Sequence, residues 1–233
     1  MTMIRSGCFY SIRRFLMKTI LCYGDSNTYG YNPENGFRYP YDLRWTSILE
    51  KNMEGRARVI PEGLNGRTTC FEDEIRPGRN GFAYLEPCLH SHGPLDLVVL
   101  MLGTNDLKIR FQLTPVDIGK AIERLVKKIL EITPQKREDG KPSEILLVSP
   151  ILIGENIREV ADGETMGFER AYEYSKRLAS VYKEWADLYG IHFMDAAQFA
   201  EPSEKDACHL SAEGHRKLGE AISKACENIL GAI

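Results

Sequence analysis

The sequence has no apolar run approaching the roughly 20 residues needed to span a bilayer. Its longest apolar stretch, Leu95 to Leu102, is interrupted by Asp96 and reads as a buried strand. No basic cluster is interleaved with aromatics and the formal net charge is only -3, so nothing suggests a nucleic-acid partner. No phosphate-cradling G-x-x-x-x-G-K-[ST] loop exists, which argues against a nucleotide-binding protein. Paired cysteines are missing too. Cys8, Cys22, Cys70, Cys88, Cys208 and Cys226 are scattered without a C-x-x-C pair. With 233 residues, 43% of them hydrophobic, the chain can bury a core that needs no disulfide staples. The thiols are therefore expected to be reduced and the protein cytoplasmic. Cys88-Leu89-His90-Ser91-His92 holds metal-type side chains, but no carboxylate motif completes a ligand set, and no metal is expected.

The start of the chain, "MTMIRSGCFYSIRRFL", carries Arg5, Arg13 and Arg14 and no acid. Ser11, Arg13 and Arg14 break any continuous signal-peptide core, although the composition also fits an organelle transit peptide. The simpler reading makes residues 1–16 an extension outside the fold and 17–233 a single domain. No repeat, low-complexity tract or linker divides that domain.

What is present is an alternation of strands and helices. Lys18 to Tyr23, "RARVIPEG", "LDLVVLML", "EILLVSP" and "IHFMDA" read as strands. "DLRWTSILEKNM" reads as a helix capped by Asp42, and "FAYLEPCLHSH" as partly helical, bent or ended by Pro87. "TPVDIGKAIERLVKKILEIT" is the clearest helix: Thr114 caps it, Pro115 opens it and Asp117 can close a capping box. A helix from about 163 to about 189 and a C-terminal helix from Ser211 complete the set. This alternation predicts one doubly wound α/β domain with a parallel sheet in the order 2-1-3-4-5. In such a sheet the ligand site lies beyond the strands' C-terminal ends. "GDSN", "EGLNG", "GTND" and the "KDACH" loop before the last helix all fall there.

Each of these loops holds a residue type that acyl transfer needs. Ser26 follows the first strand in a Gly-Asp-Ser turn, although G-x-S-x-G is absent. A serine needs a base. Of five histidines, His192 reads as packed in the last strand, His215 as solvated on the last helix, and His90 and His92 as ending a helix away from the site. His209 lies in the loop, three residues after Asp206, a spacing that lets a carboxylate reach Nδ1 while Nε2 faces outward. Taken alone, the pair is better read as capping the helix that follows. Asn105, Gly66 and the Ser26 amide are candidate oxyanion donors. Taken singly, each is an ordinary turn residue. Taken together, they fall at four element ends in a fixed order.

That order, Ser, Gly, Asn and His, resembles the SGNH (GDSL) hydrolase family from about Lys18 onward. The chain is especially similar to the small bacterial arylesterase and acyltransferase subgroup, through "ILCYGDSNTYGY", "LRWT", "EGLNGRTT", "GPLDLVVLMLGTND" and "TPVDI". The resemblance implies a flavodoxin-like three-layer α/β/α fold with a five-stranded parallel sheet, no cofactor, and ester hydrolysis through an acyl-serine. It implies Ser26 as nucleophile, His209 as base and then acid, and Asp206 as its orienter. Gly66, Asn105 and the Ser26 amide would form the oxyanion hole, and Asp25 would brace the turn. The subgroup transfers acyl groups to alcohols or peroxide, often as homo-oligomers. It more often has leucine at Asn27, tryptophan at Tyr29 and can carry alanine at Gly66, departures that bear on pocket size and chain-length preference. Tyr29 and Tyr31 are candidate substrate-binding residues; Trp45, on a helix, is more often core. A carbohydrate O-deacetylase, a thioesterase and a non-catalytic binding module are the competing readings.

Overall fold

A computed structural model describes residues 17–231, so the reading of residues 1–16 lies outside the described part. The chain runs β1 (Lys18–Gly24), α1 (Ser26–Tyr29), α2 (Trp45–Asn52), β2 (Ala57–Gly63), α3 (Gly81–His92) and β3 (Leu97–Met101). It continues through α4 (Pro115–Ile132), β4 (Glu144–Ser149), α5 (Gly163–Met166), α6 (Glu169–Tyr189), β5 (His192–Asp195) and α7 (Ala212–Leu230). The five strands form one parallel sheet in the order β2-β1-β3-β4-β5, as the alternation predicts.

Strand periodicity divides the core in two. Leu21 and Tyr23 of β1, Val98 and Leu100 of β3, and Ile145 and Leu147 of β4 face the layer of α3, α4 and α6. Ile20 and Cys22, Leu97 and Val99, and Leu146 and Val148 face α2 and α7. Both faces are covered, which is why the central strands are apolar throughout. Helix α4 begins with the expected device: Thr114 and Asp117 close a reciprocal capping box and Pro115 occupies the first turn.

Several local expectations are corrected. Asp42 does not cap α2. Tyr41–Leu43 forms a separate 3₁₀ turn with Leu43 exposed, and α2 starts at Trp45 after an extended Arg44. Pro87 neither ends nor replaces α3; its ring lies on the exposed face while Leu85, Cys88 and Leu89 stay buried. The helix expected from about 163 is broken at Gly167 (φ 82°) and Phe168 (φ 51°), and the continuous helix starts at Glu169. The loop after β1 contains the single helical turn α1.

Two histidines are also reassigned. His192 is exposed on the edge strand β5, 3.3 Å from Glu144 of β4. His215 is fully buried between α7 and α2, not solvated. Its Nδ1 accepts the Trp45 N–H (3.3 Å), giving α2 the N-terminal acceptor that its own N-cap side chain does not supply. Tyr39 packs edge-on against the ring at 5.2 Å. Burial, with His209 and Arg44 nearby, pushes the imidazole down to about 3, so it is neutral in the fold.

Candidate active site

The turn after β1 is built by steric necessity. A Cβ on Gly24 would stand 2.1 Å from Thr28 Oγ1 and 2.8 Å from Met101 O, so α1 can start there only beside a glycine. Asp25 is buried and accepts the Asn27 N–H through Oδ1 (3.0 Å), while its carbonyl takes the Thr28 and Tyr29 amides. Burial raises the Asp25 carboxyl, against the Asn27 hydrogen bond and the positive potential of nearby cations. Ser26 opens α1, and among the described residues no acceptor takes its N–H.

The histidine arrives from the loop before α7. Asp206 Oδ1 accepts the N–H groups of Cys208 (3.1 Å) and His209 (2.9 Å), folding the loop around the carboxylate. Asp206 Oδ2 lies 2.6 Å from His209 Nδ1, and His209 Nε2 lies 2.8 Å from Ser26 Oγ. Burial alone would raise the Asp206 carboxyl. Hydrogen bonds from the His209 ring and from the backbone of His209 and Cys208 outweigh it and hold the group below its ordinary value. The carboxylate is thus charged, and it fixes the ring with Nε2 toward the serine.

Asn27, which the sequence reading treats only as a departure from leucine, joins the two loops. Its Oδ1 accepts the Leu210 N–H (2.9 Å) and its Nδ2 donates to Cys208 O (3.3 Å). It therefore grips the backbone on both sides of His209. The only sequence signal for this role was an amide-bearing residue next to the serine.

Two further ties bring the other loops in. Arg67, buried and next to Gly66 in the chain, donates from Nη1 to Gly24 O (2.9 Å) and stacks 4.2 Å over Tyr23. Asp106, also buried, accepts the Thr69 N–H at 3.0 and 3.1 Å, locking the "GTND" loop to the "NGRTT" loop. Desolvation pushes the Asp106 carboxyl up to about 7. Between those ties sit Gly66, in the left-handed region (φ 83°), and Asn105, whose Nδ2 donates to Arg67 O (3.1 Å) and keeps a second amide hydrogen. Ser26, Gly66, Asn105 and His209 all line one cleft of about 470 Å³.

Of the two tyrosines, Tyr31 lines this cleft with its ring 4.4 Å from that of His209. Tyr29 does not line it: its ring lies under the Arg38 guanidinium at 4.2 Å, and its carbonyl accepts from Arg38 Nε. Trp45 is fully buried core. Away from the cleft, a carboxylate does join part of the Cys88–His92 segment. Glu62 of β2, Cys88 and His92 bring one ligand-type atom each within 4.8 Å of one another, whereas His90 is exposed. The sequence segment alone could not show this, because the carboxylate comes from a neighbouring strand. Three ligands of these types are compatible with a metal ion, and Glu62 Oε1 and His92 Nε2 also satisfy each other directly at 2.8 Å.

A parallel α/β/α sheet with a serine, a histidine and a carboxylate meeting at its C-terminal edge has the geometry of a serine hydrolase. The profile of the GDSL-like lipase/acylhydrolase family matches residues 22–217, and the chain belongs to that family. Among solved structures, a carbohydrate acetylesterase family member from Sinorhizobium meliloti is 38% identical, covers 93% of this chain and 100% of its own, and has a TM-score of 0.85. The M. smegmatis aryl esterase is 35% identical over 91% of this chain and 99% of its own, with a TM-score of 0.83. A lipase/acylhydrolase from Enterococcus faecalis, at 20% identity, 91% and 96% coverage and a TM-score of 0.64, shares the fold. No curated protein matches the chain. No helix among the described residues is long and apolar enough to cross a membrane.

Proposed function

We propose that this protein hydrolyses small carboxylic esters through an acyl-serine on Ser26. The observation that carries the reading is the continuous line Asp206 Oδ2–His209 Nδ1 (2.6 Å) and His209 Nε2–Ser26 Oγ (2.8 Å) at the mouth of a cleft. His209 Nε2 takes the Ser26 hydroxyl proton as Oγ bonds to the ester carbonyl carbon. The carbonyl oxygen becomes an oxyanion, which the Ser26 and Gly66 amides and Asn105 Nδ2 are suited to hold. Collapse breaks the bond to the alcohol, which leaves with the proton from His209. Water then adds to the acyl-serine with His209 again as base, releasing the acid and restoring Ser26. Asp206 keeps its charge throughout and stabilises the imidazolium.

An alcohol or peroxide in place of water would make the same cycle an acyl transfer. The likeness to an S. meliloti carbohydrate acetylesterase favours O-deacetylation as a second reading with the same residues. All five described cysteines are free, which supports a reducing, cytoplasmic setting. A homo-oligomer is read directly by light scattering. The test of function is hydrolysis of p-nitrophenyl acetate, butyrate and octanoate, and of acetylated sugars, by the parent and by Ser26→Ala. The reading expects Ser26→Ala to lose about 10⁴-fold or more in kcat on the accepted esters. Turnover that survives in Ser26→Ala rules out Ser26 as nucleophile.

A further inference from the structure

The cleft is lined by three cations, Arg76, Lys108 and Arg110, and by one acid, Asp162. Arg110 already has a partner: its Nη2 and Nε bond the buried Asp73 carboxylate at 2.6 and 3.2 Å. Lys108 has none. The residue is only 9% exposed, and its ammonium, which opens onto the cleft, is held among the described residues by neither a carboxylate pair nor a hydrogen bond. Asp73 and Asp25 act on it only through space. A lysine stem this buried leaves its ammonium partly stripped of water, and an anionic partner offsets that loss. Burial first, then Arg110 and Arg76, push the ammonium down to about 8. Arg76 adds a second cation beside the reacting centre, since a Cβ on Gly66 would stand 3.1 Å from Arg76 Nη1. An unpaired ammonium and a guanidinium thus face the space beside Ser26, with an exposed Asp162 as the only opposing charge on the lining.

We infer that the ester turned over here carries a carboxylate, which Lys108 and Arg76 bind while Ser26 attacks the ester carbonyl. The inference rests on the esterase reading above and names its substrate class: small anionic esters. A bound carboxylate would give the Lys108 ammonium the charge-assisted hydrogen bond it lacks, and Arg76 can hold the same group in bidentate fashion. The cleft of about 470 Å³ suits a small substrate of this kind. The carboxylate can sit on either side of the scissile bond. Its place on the alcohol side is read with 4-acetoxybenzoate against 4-acetoxybenzamide. Its place on the acyl side is read with mono-4-nitrophenyl glutarate against 4-nitrophenyl glutaramate.

In one arm, the parent is expected to favour the acid over its neutral partner by about tenfold in kcat/KM, the range of one charged hydrogen bond. The ratio should shrink in high salt. It should fall toward one in Lys108→Met and partway in Arg76→Gln, an exposed position whose substitution leaves the core untouched. A ratio unchanged in both variants and in both arms overturns the inference. A turnover-free readout separates it from the esterase reading. Glutarate binding to the Ser26→Ala protein, measured by calorimetry, should weaken about tenfold when Lys108→Met is added. Neutral esters turned over with no preference for acids would sink the anion site and leave the esterase standing. Lys108-dependent glutarate binding without turnover of any ester would do the reverse. Glutarate binding that ignores Lys108 also counts against the anion site.

Discussion

Replacing Asn27 with alanine should affect stability and chemistry together, for a reason the structure makes quantitative. The side chain holds two buried backbone groups, the Leu210 N–H at 2.9 Å and the Cys208 carbonyl at 3.3 Å. Alanine removes both partners and leaves both groups where water does not readily reach. An unsatisfied buried donor or acceptor costs about 1–3 kcal/mol, and the longer of the two bonds sits at the low end. The sum is about 3 kcal/mol, or a Tm lower by roughly 10 °C for a chain of this size. The same two bonds hold the backbone on either side of His209. Without them the imidazole should drift from Ser26 Oγ, and a misplacement near 1 Å costs about 100-fold in rate. Thermal unfolding and steady-state hydrolysis of p-nitrophenyl acetate read the two effects. The loss should lie in kcat, with KM changed little, because the residue grips the catalytic loop and does not line the cleft. An Asn27→Ala protein with its Tm within about 1 °C of the parent and kcat within about twofold would refute the reasoning, since both costs follow from the same two bonds.

Other outcomes follow from the same geometry. Asp206→Asn should lower kcat by about 10³–10⁴-fold by loosening the His209 tautomer, measured on any accepted ester. Its folded carboxyl lies below the ordinary value, so its stabilising effect is complete above about pH 4 and is lost as pH falls through the depressed folded value. Acid titration of unfolding should therefore be flatter in Asp206→Asn than in the parent over that interval. His215 has the opposite charge type but the same direction of loss. It stays neutral in the fold down to about 3 while the unfolded chain takes up a proton near its usual value of about 6.5. The parent should thus lose up to about 1.4 kcal/mol per pH unit between those values, a slope that His215→Ala abolishes while lowering stability at neutral pH. Gly24→Ala should cost several-fold more stability than Gly55→Ala, because a Cβ meets Thr28 and Met101 at the first and nothing within 4 Å at the second. Denaturant melts of the two variants compare them directly.

Much of this protein's architecture is encoded locally along the chain. Apolar runs at strand length, the Thr114–Asp117 capping box and the glycine-punctuated loops lead to the parallel sheet and to its strand order. The four loops at one sheet edge follow from that order. The sequence is less informative wherever the partner lies far along the chain. His215 reads as a solvated helix residue because its ligand, the Trp45 amide, is 170 positions away. Asn27 reads as a pocket variation because its partners are 181 and 183 positions away. Asp42 makes a plausible cap, and only the separate 3₁₀ turn at Tyr41–Leu43 and the extended Arg44 show that the helix begins later.

The sequence by itself determined the fold class, the order of the sheet and which loops meet at its edge, because periodicity and turn chemistry are local properties of the chain. Only the tertiary structure decided which polar groups inside that edge are paired. It gave His209 its carboxylate and its serine, placed Asn27 between two loops, turned Tyr29 away from the cleft, and left the Lys108 ammonium without a partner where its largely buried side chain opens onto the cleft. Pairing of that kind depends on distances of a few ångströms between residues brought together by packing, and no pattern along the chain carries those distances.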